Sequence, residues 1–353
     1  MDLIENSFLV VISILIVIEV ILIFRGKVRE EKEAKVFPKI SVLMSVRNEA
    51  GTIKKSVDSL LGQSYKHFEV LVADDQSTDG TYELLKSYAD KRLSFFKPEA
   101  PAPGLNGKAS ALAALAKKAS GDYFAVADAD TVYPRQWLAT LVSRIGNNGI
   151  ISGVTGVHSN WLQDVEWKIS TGRIMLVGEM GFHTTAIGNN MMVERETYDQ
   201  AGGFQQTVHT ATEDFELNKN ILSRGYGSAI LFDNKVLATT SSLQFKGLLA
   251  QRKRWLRGVK KLPFAILFPL YLKILVIPAV VFFLMSGSLP GITFYILLIL
   301  SETIVNIKLL HLLKDKINIG RLILFGLYQQ VFLIILTLYD AFTPRVRWKG
   351  RTL

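Results

Sequence analysis

Residues 8–24, FLVVISILIVIEVILIF, form an apolar run close to the ~20 residues a helix needs to cross a bilayer, and Glu19 is its only charge. A second apolar region fills residues 262–341, while the stretch between them is ordinary globular sequence. A chain with such ends does not close into one water-soluble core. It reads instead as a membrane helix over 1–25, a charged linker over 26–37, a globular domain over 38–260, membrane helices over 261–342 and a basic tail over 343–353.

Orientation follows from charge. Asp2 and Glu5 precede the first run, where a cleaved signal peptide would carry positive charge, and no small-residue cleavage site follows it. Arg25, Lys27, Arg29, Lys32 and Lys35 come after it, so by the positive-inside rule the globular domain is expected in the cytoplasm of a multi-pass protein of the cell membrane. The absence of cysteine agrees with a reducing compartment. The net charge of +10 is concentrated at membrane flanks, where anionic lipid attracts it; no basic-aromatic stacking surface points to nucleic acid. The later apolar segments fall at about 264–286, 291–312 and 320–341. Three true spans would put the C-terminus outside, whereas Arg345, Arg347, Lys349 and Arg351 favour the inside. One segment is therefore expected to be interfacial or re-entrant: either the first, with Pro263, Pro269 and Pro278, or the last, with Gln329 and Gln330.

In the globular part, strands are expected at 39–46, 68–73, 93–97 and 122–130, and helices at 48–65, 81–90 and 107–120. This alternation with short connections predicts an α/β fold, a mostly parallel sheet whose ligands sit at the carboxyl ends of its strands. The second strand runs into Asp74 and Asp75, and the fourth into Asp128 and Asp130. Carboxylates gathered on one rim repel unless a cation or hydrogen-bond donors face them; Mg²⁺ or Mn²⁺ on a phosphate-bearing substrate meets that need. Asp74, Asp75 and Asp79-Gly80 also read as a capped turn before the helix at Thr81. A dinucleotide fold is disfavoured because no G-x-G-x-x-G follows the first strand, and there is no Walker loop. The five histidines lack metal-ligand spacing; His183 and His209 read as packing or loop residues.

The strings SVLMSVRNEAGTI, VADDQSTDGT, DADTVYP, GNNMMVERETYDQAGGF, TEDFELNKNILSRGY and QRKRW occur in an order that resembles the membrane-associated family 2 glycosyltransferases, a group with the GT-A fold that includes cellulose, chitin and hyaluronan synthases and ceramide glucosyltransferase. The closing VRWKGRTL is similar to the tail of many short members. The resemblance implies a GT-A domain over roughly 38–260 flanked by transmembrane helices. It implies that Asp74 or Asp75 reads the nucleotide base, with Asn48 and Glu49 near the ribose, and that Asp128 and Asp130 hold a divalent metal on the donor diphosphate. Lys108, by a helix start, is expected to touch donor phosphate, as an anion suits that place; a solvated lysine is the plainer reading.

In the TED string Asp214 is implied as general base, with Glu213 beside it toward the acceptor. TEDFEL is equally a helix start capped by Thr212. Gln251, Arg254 and Trp255 share a helix face, Arg254 expected at the leaving diphosphate and Trp255 at the acceptor. Arg252, Lys253 and Arg257 read as membrane-surface charges. The activity so implied is an inverting transfer of a sugar from a nucleotide-diphosphate donor, a UDP-sugar, to a lipid, lipid-linked or glycan acceptor of the cell envelope. A processive polysaccharide synthase, a nucleotidyltransferase and a non-catalytic nucleotide-sugar-binding membrane subunit are the alternatives.

Overall fold

The computed structural model describes residues 2–25, 37–99, 104–208, 210–343, 347–348 and 351–352. The linker residues 26–36, His209, Arg345 and Lys349, all named above, lie outside the described residues, as do the side chains of Arg25, Arg347 and Arg351. The chain divides into two compact units: Met1–Lys27 together with Leu243–Thr352, and Val28–Ser242.

Helix α1 (Asp2–Arg25) opens the chain. The second unit then runs β1 (Ile40–Val46), α2 (Ile53–Leu61), β2 (Phe68–Asp74), α3 (Thr81–Lys86), β3 (Leu93–Phe96), α4 (Gly107–Lys118), β4 (Tyr123–Asp128), β5 (Thr131–Val132) and α5 (Trp137–Arg144). It continues through β6 (Asn148–Ser152), β7 (Thr155–His158), α6 (Trp161–Glu179), β8 (Asn190–Glu194), α7 (Arg195–Gln200), α8 (Glu213–Ser223), β9 (Gly227–Ile230) and β10 (Ala238–Ser241). The main sheet has the order β3-β2-β1-β4-β8-β6-β9. Its first four strands are parallel, while β8 runs antiparallel to both β4 and β6. A small sheet, β5-β10-β7, sits apart.

Strands β1, β2 and β4 are apolar on both faces because both faces are covered. On one face Val42, Met44, Val70 and Val72 pack with Ile53, Val57 and Leu60 of α2 and with Trp137 and Leu141 of α5. On the other, Leu43, Leu71, Phe124 and Val126 pack with Leu112 and Leu115 of α4 and Leu217 and Ile221 of α8. The alanines of α4 let it lie close to the sheet. Alternation along β4 therefore aims Asp128 to the side of α4 and α8.

Two local departures from expectation have clear causes. Helix α2 starts at Ile53 rather than at residue 48, because Asn48 takes a left-handed φ of 53° and the loop it begins pairs with residues 77–81. Strand β4 ends at Asp128, and Ala129–Asp130 form a turn instead of continuing it.

The other unit contains α9 (Phe245–Val259), α10 (Phe264–Ile274), α11 (Val276–Ser286), α12 (Leu289–Leu312), α13 (Ile319–Phe342) and a hairpin of β11 (Arg347–Trp348) and β12 (Arg351–Thr352). Among the described residues four stretches are long and apolar enough to cross a membrane: Asp2–Phe24, Phe264–Ser286, Leu289–Leu312 and Ile319–Phe342. The second is interrupted at Leu275, three residues before Pro278, whose ring has no N–H to donate and crowds the carbonyl of Ile274. Helices α1 and α12 run parallel. Ser288 Oγ donates to Glu5 near both N-termini, and Lys308 Nζ donates to the Ile23 carbonyl (2.9 Å) near the C-terminus of α1. Between these ties Lys273 Nζ lies 2.7 Å from Glu302 and 3.7 Å from Glu19, both of them buried residues.

Helix α9, expected with the globular domain, groups with this helical unit. Leu248 and Leu249 pack on Phe332 and Leu336 of α13, and Lys260 and Arg257 pair with Asp340. The expected surface charges of α9 are accordingly corrected. Arg252 is buried with its guanidinium 4.1 Å over the Trp255 ring, and Lys253 is buried and donates to Thr343 Oγ1 at 2.8 Å.

Candidate functional site

The carboxyl ends of β1, β2 and β4 lie side by side, Val46 level with Asp74 and Ser45 with Asp128. After β1 the chain is stitched to the loop following β2. Asn48 N–H donates to Ser77 Oγ (3.0 Å), Thr78 N–H donates to Asn48 Oδ1 (2.8 Å), and Glu49 N–H donates to Thr81 Oγ1 (2.9 Å). Asp79 takes the Ala50 N–H (2.9 Å) and the Thr81 hydroxyl. Burial opposes ionisation of Asp79, but the Thr81 and Ala50 hydrogen bonds outweigh it and hold the carboxyl below its ordinary range. Asp79-Gly80 is thus the clamp of this turn, and Gly80, at φ 91°, precedes α3.

Within that frame Asp74 is fully buried. Its Oδ1 accepts from Ser77 N–H (2.9 Å), while its Oδ2 meets no donor among the described residues. A buried carboxylate oxygen left so is costly, which marks it as a place for a donor from outside the chain. Asp75 is 6% exposed and faces Arg47 at 3.8 Å.

Asp128 is held by its backbone: its N–H donates to Tyr133 Oη (2.8 Å) and its carbonyl accepts from Ser56 Oγ (3.0 Å). Burial, with the Asp128 charge added, pushes the Tyr133 phenol well above its usual value, so it stays a neutral donor, to the Asn189 carbonyl at 2.8 Å. The side chain of Asp128 receives Lys108 Nζ at 2.7 Å, and the same ammonium lies 3.4 Å from buried Glu213. Lys108 is the second residue of α4, whose N-cap Asn106 accepts from Ala109 N–H (2.8 Å) and donates to the Thr210 carbonyl (3.1 Å). Asp130, in the turn, accepts from Thr131 Oγ1.

Asp214 stands in the first turn of α8. Thr212 occupies the N-cap position, but its hydroxyl caps no backbone N–H there, so the capping expectation for it fails. Asp214 Oδ2 accepts from Gly188 N–H at 2.9 Å. Because β8 is antiparallel to β4, with Asn190 beside Ala127, the turn that feeds it arrives at the rim where β4 ends. Asn190 anchors that turn: it accepts from Trp137 Nε1 (2.7 Å) and donates to the carbonyls of Val154 and Val236.

Sequence reasoning did not single out Tyr133, Gly188, Asn106 or Asn190. Tyr133 lies in DADTVYP, Gly188 and Asn190 lie in the small polar run that opens GNNMMVERETYDQAGGF, and Asn106 lies two residues before Lys108. The structure places Asn48, Glu49, Asp74, Asp75, Lys108, Asp128, Asp130, Glu213 and Asp214 on the sheet unit, and Gln251, Arg254 and Trp255 on α9 of the helical unit. His183 is exposed in the loop before Gly188.

Gly188 has no room for a side chain: a Cβ there would lie 2.5 Å from Asp214 Oδ2. If Asp214 is the base that the resemblance implies, Gly188→Ala, by displacing this carboxylate, is predicted to lower turnover by roughly 10²-fold, the effect of a displacement of about 1 Å at a reacting group. Donor binding, measured by calorimetry, should change little. Unchanged turnover would show that the placement of Asp214 is irrelevant.

Comparison with known proteins bears on the whole chain. In the solved mannosyltransferase PcManGT from Pyrobaculum calidifontis, described in complex with GDP-Man and Mn²⁺, the same fold covers 96% of this chain and 99% of that one, with a TM-score of 0.58 and 17% identity. The expected architecture, an α/β GT-A domain with membrane helices, is thus shared over nearly the whole chain. Among curated proteins, the putative glycosyltransferase EpsE of Bacillus subtilis is 36% identical over 28% of this chain and 36% of its own length. The UDP-Glc:alpha-D-GlcNAc-diphosphoundecaprenol beta-1,3-glucosyltransferase WfaP of Escherichia coli is 27% identical over 53% of this chain and 71% of its own. The beta-monoglucosyldiacylglycerol synthase of Nostoc is 26% identical over 63% of this chain and 49% of its own. A family model matches residues 7–353, and by it the chain belongs to glycosyl transferase family 21.

Proposed function

We propose that this chain transfers a sugar from a nucleotide-diphosphate donor, a UDP-sugar, to a lipid or lipid-linked acceptor, with inversion and in the manner expected of the family 2 type. The observation that carries the reading is the rim itself: the open Oδ2 of buried Asp74, the Asp128–Lys108 pair and Asp214 held by Gly188 all belong to the chain ends and helix starts around β1 and β4. In this reading Asp74 accepts an N–H of the base. The acceptor hydroxyl attacks the anomeric carbon while the bond to the diphosphate breaks; its proton passes to Asp214, and the nucleoside diphosphate leaves with the bonding electrons. The names of WfaP and the Nostoc synthase, with lipid-linked and lipid acceptors, support the acceptor class. The role expected of Arg254 and Trp255 rests on the motif resemblance alone.

The residues fit a divalent metal. Asp128 and Asp130 offer hard carboxylate oxygens two positions apart, the donor chemistry that such an ion takes. Asp128 and Asp130 would hold an ion of the Mg²⁺ or Mn²⁺ kind, which binds one or two carboxylates together with substrate phosphates. When bound it would supply positive charge against the departing diphosphate. Purified protein in lipid, offered UDP- and GDP-sugars with Mg²⁺ or Mn²⁺, should release nucleoside diphosphate, and chelation should stop the release. A product sugar of retained configuration would refute single displacement, and no release with any donor would favour a binding subunit.

We place the sheet unit in the cytoplasm and the C-terminus on the same side. Two parallel crossings, α1 and α12, require Phe264–Ser286 to cross between them, despite its break. That leaves α13 as the segment that does not cross. Its C-terminal half is paired with α9, and β11 lies beside α9 too. In this cysteine-free chain we predict that Thr352→Cys escapes an impermeant thiol reagent in intact cells and reacts after permeabilisation. Labelling from outside would show that α13 crosses.

A further inference from the structure

Lys108 stands where two roles compete. Its ammonium is 2.7 Å from Asp128 Oδ1 and 3.4 Å from Glu213 Oε1. The Glu213 side chain is 3% exposed, against 27% for Lys108 and 29% for Asp128. One end of the bridge is therefore enclosed and the other open to solvent. Glu213 is fixed further by Asn106 Nδ2, which approaches its Oε2 at 3.5 Å while tied to the Thr210 carbonyl. Asn106 also caps α4, so the residue that starts the helix carrying Lys108 is the one that holds Glu213.

We infer that Lys108 is a resident counter-ion that occupies Asp128 until a donor with its divalent cation arrives, and that Glu213 is the positioning residue that retains the lysine when it leaves Asp128. The inference rests on the donor-site reading above and adds to it a charge exchange. A buried carboxylate keeps its cation because separation strands a charge in a poorly solvated place. The half-exposed Asp128 gives up its cation at less cost, since water screens the separation. Two cations cannot share Asp128 without repulsion, so an incoming ion must displace the ammonium. A diphosphate beside the site offers that ammonium new acceptors, and the Glu213 tether keeps it within reach of them. Metal alone then binds against a competitor, whereas metal with diphosphate does not. The site so built discriminates against a bare ion and favours the loaded donor.

The test uses full-length protein in lipid nanodiscs, with Mn²⁺ binding followed by electron paramagnetic resonance and GDP or UDP binding by calorimetry. Lys108→Met should tighten binding of Mn²⁺ alone by about 10-fold and weaken nucleoside diphosphate binding at saturating Mn²⁺ by about 10-fold, opposite signs that general damage does not produce. Lys108→Arg should keep both values near those of the parent. Glu213→Gln should weaken diphosphate binding, and the double variant Lys108→Met/Glu213→Gln should lose no more than Lys108→Met does. If Lys108→Met melts early, Lys108→Gln serves in its place. Mn²⁺ affinity that is unchanged or weaker in a folded Lys108 variant overturns the inference alone. Parent protein that binds neither Mn²⁺ nor either nucleotide overturns the donor-site reading and this inference with it.

Discussion

With Asp214 as the proposed base, Asp214→Asn is predicted to lower turnover by about 10²-fold or more while leaving nucleoside diphosphate affinity within about twofold, because the amide keeps the shape but cannot take a proton. The geometry confines the change to one hydrogen bond. Oδ2 of Asp214 accepts the Gly188 N–H, and an asparagine oxygen does the same. The other oxygen accepts from Phe215 N–H at 2.8 Å, where an amide nitrogen would meet a donor. That mismatch, at the first turn of α8, loses one hydrogen bond and leaves the rest of the helix in place. Single-turnover kinetics isolates the chemical step from product release, and calorimetry reports donor binding on the same sample. Survival of turnover would remove Asp214 as base. Loss of nucleotide binding along with turnover would place it in the donor pocket instead.

The second large effect is one of stability. Lys273→Met is predicted to destabilise the helical unit by about 3 kcal/mol or more, because it removes the cation that two buried carboxylates, Glu19 and Glu302, both face. Removing one partner of a buried ion pair costs more than removing all of them, since uncompensated charge is what the low-dielectric interior resists. The combination Glu19→Gln/Lys273→Met/Glu302→Gln should accordingly recover most of the loss. Thermal unfolding in detergent, followed by the yield of monodisperse protein, measures both. A Lys273→Met protein as stable as the parent would show that this cluster ties nothing together.

The strand ends were legible because a parallel strand buried on both faces reads as an unbroken apolar run, and such a run can stop at Asp74 or Asp128 only where it leaves the core. The course of the chain beyond each strand was less legible. Asp130 was expected on an extended end, yet Thr131 begins a strand of another sheet, and the pairing with Thr240 that bends the chain there is set by residues more than 100 positions away. The antiparallel course of β8 was hidden for the same reason: Met191, Met192 and Val193 are equally apolar in either direction. Lys253 shows the limit for charges. On its own helix it reads as solvated, and only packing by α13 shows that it is buried against Thr343 and Tyr339. Local pattern reports what a segment can bury and is silent on what will cover it.

The parallel packing of α1 on α12 sets a timetable for biosynthesis. The tie between Ile23 and Lys308 joins residues 285 positions apart, so α1 leaves the ribosome long before its partner exists. At about 5–20 residues per second the wait is roughly 15–60 s. For most of it Glu19 has not met Lys273, and to its end the Ile23 carbonyl lacks its lysine. The sheet unit, whose neighbouring strands β1, β2 and β4 are close in sequence, has time to fold first. A nascent chain arrested before residue 273 would then carry a complete sheet unit behind a first helix whose Glu19 has yet to meet Lys273.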